Sequence, residues 1–178
     1  MRSTYRRGMA GDTVTTREAA AADAPAIQRV ARASWEGAYE GILAEAVTEA
    51  MLEGGYSATA LETLAADPDT GLFVAEADDE VVGYANGEPV GGGDGEVSVY
   101  VDPDYWGEGV GSALLARAVD HLDELGVERV SDEVLAENEV GNAFYASHFA
   151  KTGEEMVEIA GETHRANVYG GPVDAVSP

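Results

Sequence analysis

Gly107, Gly109 and Gly111 recur at alternate positions just ahead of a helical pattern. That spacing can bind an anion. Residues without side chains let backbone N–H groups approach a phosphate, and a helix start favours negative charge. A nucleotide-triphosphate loop would need lysine after its last glycine, but Gly111 is followed by Ser112 and Ala113. A dinucleotide fingerprint would follow the first strand of a βαβ unit directly, whereas Asp102-Pro103-Asp104 intervenes and the motif lies past mid-chain. A loop that only turns a corner remains open beside the reading we favour, a pyrophosphate cradle for a coenzyme. A second group is Asn138, Asn142 and Tyr145, which share one face at helical spacing, with Val140 and Phe144 on another. Two amides and a phenol suit a polar, elongated ligand, unless the tyrosine is simply buried and locally satisfied. There is no cysteine, and His121, His148 and His164 are scattered. A thiol nucleophile is therefore excluded, and neither a metal site nor a Ser-His-acid set is expected.

These residues need elements to hold them. Glu96 to Val101 alternates, with Val97, Val99 and Val101 on one face and Glu96, Ser98 and Tyr100 on the other, which predicts a half-buried strand. Val110, Leu114, Leu115, Val119 and Leu122 predict the helix after the glycines, ended by Gly126. Before them the spacing predicts a strand over 13–19, a helix from Asp23 through Trp35, a second over 39–52 and a short third over 57–66. A hairpin over 72–76 and 80–88 follows, then a flexible loop at Gly91–Gly95. After the central helix come a strand over 129–135, a helix from Asn138 to about His148, and a hairpin over 150–159 and 163–169. Residues 1–12 read as a flexible arm, 13–170 as one domain and 171–178 as a tail.

The chain has 178 residues, 45% of them apolar, enough for one real core. Its charge is extreme: 34 acidic against 10 basic residues, net −24, spread along the whole length. With clear periodicity this pattern resembles proteins of salt-loving organisms, whose cytoplasm screens self-repulsion. Nucleic acid is not expected as a partner, since no basic patch exists. No signal peptide or membrane-spanning stretch is read, so a soluble, cytoplasmic protein is expected.

The run Val-Tyr-Val-Asp-Pro-Asp-Tyr-Trp-Gly-Glu-Gly-Val-Gly-Ser-Ala-Leu-Leu resembles the coenzyme A motif of the GCN5-related N-acetyltransferases (GNAT), a strand followed by Arg/Gln-x-x-Gly-x-Gly/Ala and a helix. Trp106 stands where Arg or Gln is usual. The segment Asn138 to Phe149 is similar to the family's Asn-x-x-Ala-x-x-Phe-Tyr-x-x-x-Gly-Phe, with Asn138, Phe144 and Tyr145 in register and an ending one residue short. The resemblance implies an α/β fold with a mixed, mostly antiparallel sheet flanked by helices. Two strands, 96–101 and 129–135, would splay apart around the coenzyme. It implies acetyl-CoA as cosubstrate, held by Val99, Tyr100, Val101, Trp106, Gly107, Glu108, Gly109, Val110, Gly111, Ser112, Asn138, Asn142 and Tyr145; separately, because the net charge opposes a polyanionic coenzyme, Arg117 is expected to add an anion contact to the cradle. Tyr145 would protonate the departing thiolate and Glu96 would serve as base. Glu36 and Tyr39 would contact the acceptor, a small amine or a protein N-terminus. Transfer would be direct, within a ternary complex, and a homodimer is common in the family. A non-catalytic acyl-CoA-binding module and a nicotinamide-dependent enzyme are the competing readings.

Overall fold

The computed structural model describes residues 3–6 and 13–176. Among the described residues, eight strands form one sheet in the order β1-β2-β3-β4-β5-β6-β8-β7. They are β1 (Ser3–Arg6), β2 (Thr13–Glu18), β3 (Gly71–Ala77), β4 (Glu80–Gly91), β5 (Asp94–Val101), β6 (Arg129–Leu135), β7 (Ala150–Ile159) and β8 (Glu162–Pro172). Every neighbouring pair is antiparallel except β5 and β6. Helices α1 (Ala24–Tyr39), α2 (Glu45–Gly55) and α3 (Ala58–Ala66) cover one face, while α4 (Val110–Glu124) covers the other. The last helix, α5 (Glu139–Ala146), stands beside the end of β6.

Three tight turns set the antiparallel register. Asp78 and Asp79, Gly92 and Gly93, and Ala160 and Gly161 each supply two consecutive positive φ angles, which a two-residue turn of type I′ requires. The second turn corrects the flexible loop expected at Gly91–Gly95: β4 and β5 are joined there by two residues, with Gly91 opposite Asp94. The second helix expected over 39–52 begins later. α1 ends at Tyr39, Gly41 takes φ 78°, and α2 starts at Glu45. At the N-terminus, Ser3–Arg6 pair with β2 where an arm was expected, because β2 offers a free edge; the rest of residues 1–12 lies outside the described residues. The expected tail is docked in part: β8 runs to Pro172, and Val173 is buried with its N–H bonded to the Glu128 carbonyl.

Two cores follow from the alternation of the strands. Val97 and Val101 of β5 join Val110, Leu114, Leu115, Ala118, Val119 and Leu122 of α4 on one face. On the other, Val74, Tyr84 and Tyr100 pack under Ile27, Val30, Ala31 and Trp35 of α1. Burying each valine, leucine or isoleucine among them contributes about 1.5–3 kcal/mol. Arg17 on β2 fixes the start of α1: its guanidinium donates to Asp23 at 2.8 and 2.9 Å and to Glu76 of β3 at 2.8 and 3.1 Å.

One glycine holds β8 against β6. A Cβ at Gly170 would meet the Val130 carbonyl oxygen at 2.7 Å and Ser131 Cβ at 3.1 Å. Both neighbours belong to the ladder and cannot swing away. Gly170→Ala is expected to lower unfolding free energy by about 1–3 kcal/mol, read as a lower urea midpoint with an unchanged slope.

Candidate active site

β5 and β6 share only three rungs, Asp94↔Arg129, Gly95↔Val130 and Glu96↔Ser131, and then part. The gap opens into a cleft of about 750 Å³ walled by α1, β5, the glycine loop, the start of α4, β6 and α5. That size suits a coenzyme-sized ligand.

The glycine loop forms the floor of one end. Gly107 and Gly109 take φ 75° and 84°, which only glycine adopts without strain, and Gly109 is the residue before α4. The first helical bond runs from Ala113 N–H to Gly109 C=O at 3.1 Å. The N–H groups of Val110, Gly111 and Ser112 therefore have no acceptor within the helix and stand ready for an anion. Gly111 also lets α5 approach, since a Cβ there would meet the Phe144 ring at 2.9 Å. Ser112 Oγ and His148 Nε2 are hydrogen-bonded at 2.9 Å, a pair the sequence reading did not anticipate. Trp106 donates from Nε1 to the Val101 carbonyl at 2.9 Å. It thus ties the loop back to the end of β5 and presents indole, not a cation, to the cleft.

Asn138 caps α5, its side chain accepting from Gly141 N–H at 2.9 Å. The helix turns Tyr145 into the cleft. That side chain is 4% exposed, and its hydroxyl has no hydrogen-bond partner among the described residues. Burial first, and the neighbouring Asp132 carboxyl second, push its phenol well above the ordinary range. The shortened ending of the segment costs little, because Phe149 still enters the core and its N–H bonds the Tyr145 carbonyl at 2.8 Å.

Most of the expected residues come together. Val99, Tyr100, Val101, Trp106, Gly107, Gly109, Val110, Gly111, Ser112, Asn138, Tyr145 and Tyr39 all line the cleft. Burial pushes the Tyr39 phenol above its usual value. Five residues do not line it. Asn142 is held by the scaffold: it donates to the Asn138 carbonyl at 2.7 Å and the Leu135 carbonyl at 2.9 Å, and accepts from Asn167 at 2.7 Å and Tyr169 at 2.8 Å. Its role is to anchor α5 on β8. Glu36 lies on the outer side of α1, paired with Arg32 at 3.8 Å. Glu96 is exposed at the last β5–β6 rung, outside the cleft. Glu108 also stands outside the lining residues. Arg117 turns to β3, its guanidinium 4.9 Å from the Phe73 ring centre, and so does not reach the glycine loop.

The sequence reading missed Asp132. It lines the cleft at the mouth of the gap, and burial pushes its carboxyl up to about 7 despite the Tyr145 hydroxyl and the Glu133 N–H beside it. A signal was present: Val130, Asp132 and Val134 share one strand face, so a carboxyl sits in the middle of an apolar row. Trp35 and Ser34 of α1 line the opposite wall, with Trp35 and Tyr39 rings 4.8 Å apart. Among the described residues no lysine, arginine or histidine lines the cleft, and no group of three or more acidic or histidine side chains could hold a metal. No described helix is long and apolar enough to cross a membrane.

The geometry can be set beside known proteins. The sequence profile of the acetyltransferase (GNAT) family matches residues 31–149. The mycothiol acetyltransferase of Clavibacter sepedonicus is 41% identical over 80 residues, 44% of this chain but 26% of that protein, so the chain spans about a quarter of that relative's length. The PaiA N-acetyltransferase of Thermoplasma acidophilum, solved in complex with coenzyme A, superposes with a TM-score of 0.72 at 23% identity over 86% of this chain and 97% of that one. The ribosomal-protein-S18-alanine N-acetyltransferase of Escherichia coli gives 0.65 at 20% identity over 90% and 94%. These likenesses establish the fold: an α/β sheet, mostly antiparallel, flanked by helices.

Proposed function

The chain belongs to the acetyltransferase (GNAT) family, and on that premise we propose that it moves the acetyl group of acetyl-CoA to a primary amine, of a small molecule or a protein N-terminus, in a ternary complex. The observation that carries this reading is the pairing of an anion cradle with an unpartnered buried phenol in one cleft. Bound acetyl-CoA would supply the activated thioester. Val110, Gly111 and Ser112 would hold its pyrophosphate through backbone N–H groups. The residues fit this ligand: the cradle amides lack helical acceptors, and the loop before them takes positive φ at Gly107 and Gly109. Along β5 beyond Glu96, the strand edge facing the gap has no β6 partner. A backbone N–H there, between Val99 and Val101, polarises the thioester carbonyl. Tyr145 holds the proton that a departing thiolate needs. Positioning contributes much of the rate.

Acetyl-CoA titrated calorimetrically into the protein in concentrated salt, with NAD as control, tests the coenzyme. Saturable heat from acetyl-CoA alone supports the reading, and binding of NAD alone overturns it. A panel of a polyamine, an amino sugar and an N-terminal alanine peptide, read by release of free thiol, then tests transfer. Binding without thiol release for any acceptor would favour a non-catalytic coenzyme-binding module.

The charge leads to a second expectation. Coenzyme A is polyanionic and the chain carries −24, so at low salt the overall field opposes binding while the local cradle favours it. Affinity for acetyl-CoA is expected to tighten as salt is raised from low levels, because screening acts on the diffuse field before it acts on short contacts. Affinity that falls steadily with salt, in folded protein, would overturn this.

A further inference from the structure

We propose that Asp132, and not Glu96, accepts the proton of the attacking amine, and that it returns that proton to Tyr145. The inference rests on the acyl-transfer reading above. Four observations carry it. Asp132 and Tyr145 both line the cleft, at the point where β5 and β6 part. Asp132 is the one carboxyl beside the Tyr145 hydroxyl, which also faces the Val99 backbone. One carboxyl oxygen, Oδ1, is fixed by the Glu133 N–H at 2.8 Å, which orients the group. Glu96 is exposed and stands outside the cleft. The groups that face Asp132 are Tyr145 from α5, Tyr39 from α1, Tyr100 and Glu96 from β5, and Glu133 on its own strand, with Tyr169 paired to it on β8. All are phenols or carboxyls. Its carboxylate therefore faces no competing cation among them, and a half-buried carboxyl titrating near neutrality is poised to take up a proton.

The step balances. The amine nitrogen forms the bond to the acetyl carbon, and the carbon–sulfur bond breaks. The amine proton passes to Asp132, the sulfur takes the Tyr145 proton, and Asp132 then reprotonates the phenolate. Amide and free thiol leave, and both side chains are restored without an added reagent.

Asp132→Asn should lower kcat about 10²–10⁴-fold and remove the rise of kcat with pH near neutrality, while acetyl-CoA affinity by calorimetry stays within about threefold of wild type. Glu96→Gln should keep the rate and still show a rise of kcat with pH, displaced only to lower pH as one carboxylate near Asp132 is lost. In Asp132→Ala, added formate should restore part of the lost turnover, which a purely structural role would not allow. The proposal is overturned by an Asn variant that keeps rate and profile, by a Glu96→Gln variant that loses them, or by a folded, coenzyme-binding Ala variant that formate does not revive. Wild-type protein that binds acetyl-CoA yet acetylates no amine would instead overturn the transfer reading, and this step with it.

Discussion

Tyr145→Phe is expected to lower kcat about 10²–10⁴-fold with acetyl-CoA affinity unchanged. The phenol is held protonated by burial and by the neighbouring Asp132 carboxyl, so at neutral pH it is a proton donor and never a base. Phenylalanine removes that proton and almost nothing else. The ring keeps its neighbours Phe144, Phe149 and Tyr169, with centroids 5.0, 6.1 and 6.2 Å away. Its loss takes the hydroxyl from beside the Asp132 carboxyl, whose charged form that hydroxyl favours. Steady-state kinetics with a fixed acceptor, beside calorimetry, separate the two effects. A kcat within about threefold of wild type would make Tyr145 a packing residue.

The second large effect is on stability, and its sign is opposite. Asp132 titrates near 7 in the folded chain against an ordinary 3.8, so the fold binds this proton more tightly than the unfolded chain does. That contribution is fully present below about pH 4 and is lost as pH rises through about 7. At 1.36 kcal/mol per unit, the loss reaches up to about 4 kcal/mol. Asp132→Asn carries no such proton. Urea unfolding in concentrated salt should show the variant more stable than wild type by a few kcal/mol at about pH 8, with the difference closing towards about pH 4. Equal stability at both ends would mean that the carboxyl is well hydrated in the fold. A residue that weakens the fold where the enzyme would work is the usual mark of a group kept for chemistry.

How far the chain was legible follows from the range of each interaction. The glycine loop and α4 were legible because their determinants are local: positive φ at Gly107 and Gly109, then apolar residues at helical spacing. Tyr145 was legible through a local pattern too. Asn142 was misread for the opposite reason. Helical spacing gives its direction but not the arrival of Asn167 and Tyr169 from β8, which occupy its amide. Glu36 and Glu96 were chosen for residue type in a chain with 34 acids, where type alone discriminates poorly. Asp132 acquires its character from α1, β5 and α5 closing around it, which no window of sequence contains. Composition alone predicts a loose segment at Gly91–Gly95, whereas consecutive glycines at positive φ make a short, defined turn.

The parting of β5 from β6 after three rungs also bears on how the domain holds together. On one side of the gap lie five strands, contiguous in space; on the other lie β6, β8 and β7, built from the last third of the chain. Each part closes its own hydrogen-bond ladder, and the two are joined by a short seam and by the cores under α4 and α1, which cross it. A ligand lying along the gap takes the place of missing rungs. Coenzyme bound there would brace the two half-sheets against each other and raise the unfolding temperature, so the cleft is also the mechanical joint of the molecule.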